Sequence, residues 1–255
     1  MSITKHTISQ LAIVAAMALT SCGSQYNVAS ITPRRYEMTS AYNPQGATPA
    51  SEILAPYKEK IEQTMNTVIG RSAVYMPASR PQSLLSNFIS DVLYDAADKG
   101  RGDIDFAVMN VGGIRATMPQ GNVTVSNIYQ ISPFENSLAI VELKGEHVAE
   151  LLADIARLGG EGLSRQVEMT ITERGEVKSA KIGGKAIDPA KTYKVATIDY
   201  LAEGNDKLYS FKKAVKVDRP EGALLRDIVI EYIKQKTREG KEITSKIDSR
   251  LTISK

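Results

Sequence analysis

Apolar positions along the chain fall into two kinds of segment, some repeating every three or four residues and others running continuously or alternating. Behind Ser51 as N-cap, Ile53, Leu54, Tyr57, Ile61, Met65 and Val68 share one helical face. A second helix over about 82–97 carries the stripe Leu84, Leu85, Phe88, Ile89, Val92 and Leu93. The run 104–109 is a buried strand ending in a turn at 110–115, and 138–143 is a strong strand followed by a helix over about 145–156. Alternation in 167–171 and 178–182 predicts antiparallel strands joined at Arg174-Gly175. Asp188-Pro189 turns the chain into a strand at 193–197. A helix over about 222–237 points Leu224, Leu225, Ile228, Val229, Tyr232 and Ile233 inward, and a closing strand at 250–253 returns to the sheet. Helices alternate with strands but hairpins occur too, which predicts a mixed α/β (α+β) sandwich rather than a doubly wound parallel fold.

The N-terminal end reads differently. Lys5, an apolar run over 11–19, and Leu19-Thr20-Ser21-Cys22 have the form of a lipoprotein signal peptide over 1–21, with Cys22 as the lipidated residue. The run is shorter than the roughly 20 apolar residues needed to span a bilayer. An ordinary secretory signal with a coincidental cysteine is the plainer reading. Cys22 is the only cysteine, so no internal disulfide forms and the fold rests on its core. Residues 22–50 are rich in Ser, Thr, Asn, Pro and Gly and read as a flexible tether with a short strand around Tyr36-Glu37-Met38; 51–255 then form the folded domain. The predicted place is a bacterial cell envelope, with the membrane engaged through lipid on Cys22. Lys and Arg number 32 against 29 Asp and Glu, without a basic run, which argues against nucleic acid as a partner.

Three loops carry the candidate chemistry. In Asn110-Val111-Gly112-Gly113-Ile114-Arg115 the glycines permit close backbone approach and Arg115 can grip a phosphate or carboxylate; a plain tight turn with a solvated arginine fits equally. In Pro133-Phe134-Glu135-Asn136 the aromatic is a core residue or a stacking platform, with Asn136 offering donor and acceptor. In 198–206, Tyr200 can close an aromatic clamp and Asp206 can accept from a ligand hydroxyl, or the loop is a polar turn around a partly buried tyrosine.

Together with Gln82-Ser83-Leu84-Leu85-Ser86-Asn87, Val123-Thr124, Leu143-Lys144-Gly145 and 188–197, the order and spacing of these loops resemble one family. It is the C-terminal, substrate-binding domain of the bacterial 5'-nucleotidases and UDP-sugar hydrolases, and the resemblance runs from about Ile69 to the C-terminus. It implies that Phe134 and Tyr200 sandwich a nucleobase, that Asn136 and Asp206 hydrogen-bond base or ribose, and that Arg115 faces phosphate, with Gly112 and Gly113 beside it. Arg80 lies close to another such arginine, and Arg71 is a weaker candidate. The sequence departs from the family at Asn205, where a second glycine is usual, at Ser86, where a glycine is usual, and at Gln82, where an acidic residue is common.

In that family hydrolysis takes place in a separate domain holding two divalent metals, which need clustered Asp, His and Asn ligands. Here His6 lies in the signal and His147 in the first turn of a predicted helix, and neither an Asp-x-His nor an Asn-His-Glu motif occurs. No catalytic residue, metal ligand or cofactor is therefore expected on this chain, and divalent metals are expected only in a partner domain. The implied role is nucleotide or nucleoside recognition in a phosphohydrolase system of nucleotide catabolism, acting with a separately encoded metallophosphatase chain. The alternatives are a non-catalytic nucleoside-binding envelope lipoprotein and a structural lipoprotein with a dead pocket.

Overall fold

The structure is a computed structural model that describes residues 30, 32–37, 39, 48–99 and 102–254. The signal segment, Cys22 and Met38 lie outside the described residues. Residues up to Glu52 and residues from Ile53 onward are separate compact units. In the first, 32–37 adopt no regular element, so no strand forms at Tyr36 or Glu37.

The first helix, α1, spans Pro49–Met65 and starts before Ser51. Thr48 takes the cap: its Oγ1 accepts from the Ser51 N–H at 3.2 Å, while Ser51 Oγ accepts from the Thr48 N–H at 2.7 Å. The shared apolar face is not buried. Ile53, Leu54, Tyr57 and Ile61 are 56–68% exposed, because none of the described elements packs over them. Val68 lies past the helix, in a strand. Among the described residues no helix is long and apolar enough to cross a membrane.

The rest is the expected mixed α/β arrangement. In chain order it comprises β1 (Val68–Ser72), α2 (Leu84–Asp98), β2 (Phe106–Met109), β3 (Gly121–Thr124), α3 (Val125–Ile131), β4 (Leu138–Lys144), α4 (Gly145–Arg157), β5 (Gly162–Leu163) and β6 (Val167–Thr172). Then follow β7 (Val177–Ile182), β8 (Lys185–Ala186), β9 (Thr192–Ile198), α5 (Asp199–Ala202), β10 (Lys216–Asp218), α6 (Leu225–Arg238) and β11 (Thr252–Ser254). Strands β10-β4-β9-β2-β5 form the central sheet, with β2 parallel to β9 and the other pairs antiparallel. Its middle strands are buried almost throughout, as the continuous apolar runs require. Helix α2 packs against β2, β5 and α6, and α4 against β4, β9 and β7. The hairpin β6–β7 forms around Gly175, and β11 joins β6 in parallel in a second sheet, β11-β6-β7-β8.

Two departures from the family pattern find their reasons at the start of α2. Ser83 caps the helix and Ser86 returns the bond, its Oγ accepting from the Ser83 N–H at 3.0 Å. Gln82 is spent on structure: its Nε2 donates to the carbonyls of Asp248 and Leu251, and its Oε1 accepts from Asn87. These bonds tie the C-terminal segment to α2. Helix α6 starts at Leu225, later than the apolar pattern suggests, because Leu224 is extended and bridges to Ser137.

Candidate functional site

Sheet topology decides where the loops meet. β2 and β9 run parallel, and β4 is antiparallel to β9 with Leu138 opposite Ile198. The exits of β2 and β9 and the entrance of β4 therefore share one end of the sheet, and all three candidate loops project there. Ligands of open α/β sheets bind in such crevices beyond the carboxyl ends of strands. A cavity of about 430 Å³ lies at this end, lined by Asn110, Gly112, Gly113, Arg115, Phe134, Asn136, Tyr200 and Asp206. Larger cavities of about 550 and 800 Å³ occur elsewhere, and many of the side chains lining them, such as Asp91, Asp95, Arg165 and Arg250, are already ion-paired to one another.

Each loop is braced before it reaches the cavity. Beyond β2 the chain makes a 3-10 turn over Val111–Gly113, and the Arg115 N–H donates to the Ile131 carbonyl at 2.9 Å. A Cβ on Gly113 would sit 2.8 Å from Asn110 Oδ1, so a larger residue there would displace the Asn110 side chain. Arg115 itself is exposed, with one Nη1 bond of 3.2 Å to the Gly112 carbonyl. The Phe134 loop is held from α6: the Leu225 N–H donates to the Asn136 carbonyl at 2.9 Å, and Arg226 pairs with Glu135 at 3.0 Å. Asp199 joins this loop to the third by accepting from the N–H groups of Ser137 and Tyr200.

In the third loop left-handed backbone falls at Gly204, Asp206 and Lys207, not at Asn205. Asn205 instead donates its side-chain amide to the Tyr200 carbonyl at 2.8 Å, which closes the turn the family's second glycine would make. Non-glycine residues held left-handed cost stability and cluster at functional sites. Asp206 is the junction of the cavity: Oδ2 accepts from Asn110 Nδ2 at 2.5 Å and Oδ1 from the Tyr200 hydroxyl at 2.9 Å. The bond to Asp206 raises the Tyr200 hydroxyl above its ordinary range, because ionising it would set two negative charges together. Phe134 and Tyr200 are 48% and 41% exposed, so Phe134 is not a core residue and Tyr200 is a partly buried residue at the cavity edge.

Two candidate arginines are elsewhere. Arg80 is not among the cavity-lining residues; its Nε donates to the Gly160 carbonyl at 2.8 Å and its Nη2 pairs with Glu161. Without the guanidinium the buried Glu161 carboxylate would lose its counter-charge, which is costly. Arg71, on β1, is engaged with Glu242 and Asn122. Two residues of the site escaped the sequence reading. Asn110 was read only as part of its turn. Glu161, which accepts from the Val111 N–H, follows a glycine pair that gives no chemical signal by itself. His147 lies between Glu146 and Glu150 and does not line the cavity. Among the described residues no group of three or more His, Cys, Asp or Glu side chains is placed to hold a metal ion. They do not fit a dinuclear centre, and no metal-dependent step is assigned to them.

Fold and cavity define a class: a mixed α/β domain with a loop-built, aromatic-edged pocket at the end of its central sheet. The chain belongs to the 5'-nucleotidase C-terminal domain family, whose profile matches residues 64–214. It is 29% identical over 157 residues to the protein UshA of Escherichia coli, covering 60% of this chain and 28% of that protein. It is 30% identical over 216 residues to an apyrase of Tabanus yao, covering 72% of this chain and 38% of the relative. The 5'-nucleotidase precursor from Thermus thermophilus superposes with a TM-score of 0.67 at 24% identity, over 80% of this chain and 43% of that one, a likeness of fold. The chain thus spans well under half the length of these relatives.

Proposed function

We propose that this domain recognises nucleotides and nucleosides and presents them to a metallophosphatase on a separate chain, in nucleotide catabolism. The observation that carries the reading is the pair of half-exposed aromatics, Phe134 and Tyr200, lining one cavity with Asn110, Arg115, Asn136 and Asp206. A flat base stacks between two such rings whatever its edge, at about 1–3 kcal/mol per base in nucleic-acid systems. Asn136 offers a donor and an acceptor to the base edge or ribose. Asp206 keeps lone pairs for a ligand hydroxyl beside the bonds it already accepts. Arg115 spends one N–H on Gly112 and has further donors to turn toward a phosphate. In this reading the catalytic metals are supplied by the partner chain.

The test has two arms. Adenosine and AMP are titrated into wild type and Arg115→Ala; AMP should lose roughly 10- to 150-fold, the value of a charge-assisted bond, and adenosine almost nothing. Equal losses would remove the phosphate role. Adding a metallophosphatase chain should then form a complex and raise AMP hydrolysis, and neither a complex nor a gain would sink the partnership.

Lipid on Cys22 would hold the domain at a bacterial envelope, facing the periplasm or the cell surface. The motivation is the apolar run ending in Leu19-Thr20-Ser21-Cys22. Cys22→Ser should move the chain from the membrane fraction to the soluble one, and an unchanged membrane fraction contradicts the anchor.

A further inference from the structure

Glu161 is 1% exposed and precedes β5, across from the glycine turn. Its Oε2 accepts from the Val111 N–H at 2.5 Å, at the first residue of that turn, and its Oε1 accepts from Arg80. Arg80 is fixed in turn on the Gly160 carbonyl. Gly160 has φ +112, and a Cβ there would lie 2.3 Å from the Pro81 carbonyl oxygen, so the close approach of 160–161 to 80–81 needs glycine. One residue before Val111, Asn110 binds Asp206, and Asp206 holds the Tyr200 hydroxyl. A continuous chain of bonds thus runs from Arg80 through Glu161 and the turn to the aromatic edge of the cavity.

We infer that Glu161 is a positioning residue for the cavity, and that its ionised carboxylate holds the 110–113 turn in the ligand-receiving arrangement. The inference rests on the nucleoside-binding reading above. A carboxylate accepts from Val111 and Arg80 together, whereas an acid or an amide has one donor face and must turn it on one of them. Arg80 is partly exposed and carries full charge, so the contact given up is the one with the Val111 N–H.

The charged groups facing Glu161 are Arg80 and, across the turn, Asp206. Burial pushes the Glu161 carboxyl above the ordinary range; the bonds from Val111 and Arg80 pull it back, and Asp206 adds to the rise. Glu161 therefore takes up its proton at a higher pH than an exposed glutamate. The signs for stability and binding are opposite. A carboxyl raised in the folded state contributes stability that is full below its unfolded value and lost as pH rises through the folded value. Ligand affinity should instead rise over that window, because only the ionised form holds the turn. A residue with a merely structural role would move both in the same direction.

The experiment titrates adenosine into the full chain, wild type and Glu161→Gln, from mildly acid to neutral pH. Alongside it, amide hydrogen exchange is followed at Val111 and at Val141 of β4. At neutral pH the Gln variant should bind roughly 10-fold more weakly, the value of about one buried hydrogen bond. Its affinity should stay nearly flat where that of the wild type falls toward acid. Its Val111 amide should exchange at least roughly 10-fold faster, with Val141 unchanged, and Glu161→Asp should restore part of the pH dependence. Wild-type affinity with wild-type Val111 exchange in the Gln variant overturns the inference. So does equal acceleration at Val111 and Val141, which marks a general loss of stability. If wild type binds no adenosine at any pH, the nucleoside reading fails. Val111 exchange then decides alone: faster exchange supports the positioning role, and unchanged exchange overturns it.

Discussion

Phe134→Ala and Tyr200→Ala will each weaken adenosine binding by roughly 5- to 150-fold, the range set by about 1–3 kcal/mol of stacking per base. Both rings stand about half exposed on the same cavity, so removing either creates no void in the core and should cost little stability. The loss is expected in affinity, not in melting temperature, and calorimetry beside a thermal melt separates the two. Tyr200 carries a second duty through its hydroxyl, which holds Asp206 at 2.9 Å. Tyr200→Phe keeps the ring and drops that bond, and should weaken adenosine binding far less than Tyr200→Ala does. If Tyr200→Phe costs as much as Tyr200→Ala, the ring is not a stacking face and the sandwich is wrong.

The largest loss of stability is expected at Arg250, far from any ligand. Its guanidinium is 3% exposed and bridges Asp91, at 3.1 and 3.2 Å, and Asp248, at 2.7 and 2.9 Å, and also donates to the Leu163 carbonyl at 2.9 Å. It thereby fastens the C-terminal segment to α2 and β5. Arg250→Ala leaves two carboxylates and a carbonyl facing an emptied site. Breaking a buried ion pair costs about 3–5 kcal/mol, and each kcal/mol lowers Tm by roughly 2–4 °C in a domain of this size. Arg250→Lys should recover only part, since an ammonium does not reproduce the fork. The hydrogen bond from Arg250 also holds the Asp248 carboxyl below its ordinary value. Stability from a lowered carboxylate is present above its unfolded value and is lost as pH falls through the folded one. Wild type should therefore lose this contribution only as pH falls below the ordinary aspartate range, and Arg250→Ala should show less of that loss.

How much of this was legible in the chain follows from what each signal depends on. Strand β4 was readable because a strand covered on both faces carries an apolar run, and β9 because Asp188-Pro189 marks the turn that opens it. Strands β5, β8 and β10 are two or three residues long, too short for any periodicity to show. The cavity loops were readable as a set, since their chemistry sits in local motifs and the topology brings their roots to one edge. The surroundings of Arg80 were not legible for the complementary reason. Its partner Glu161 lies 81 residues on, and no local pattern announces a buried carboxylate that captures it. The face of α1 was misread because helical period shows which residues share a side, not whether anything covers that side. At Asn205, where the family's second glycine is usual, the chain places left-handed backbone at the neighbours Gly204 and Asp206 and uses the side chain as a clamp.

The central claim is that the cavity between Phe134 and Tyr200 receives a nucleoside. The most direct measurement is a calorimetric titration of adenosine into the full chain at neutral pH, repeated on the double variant Phe134→Ala–Tyr200→Ala. Saturable binding by wild type and its loss in a double variant that still melts cooperatively is the predicted result. No binding by wild type, or undiminished binding by the double variant, contradicts the account.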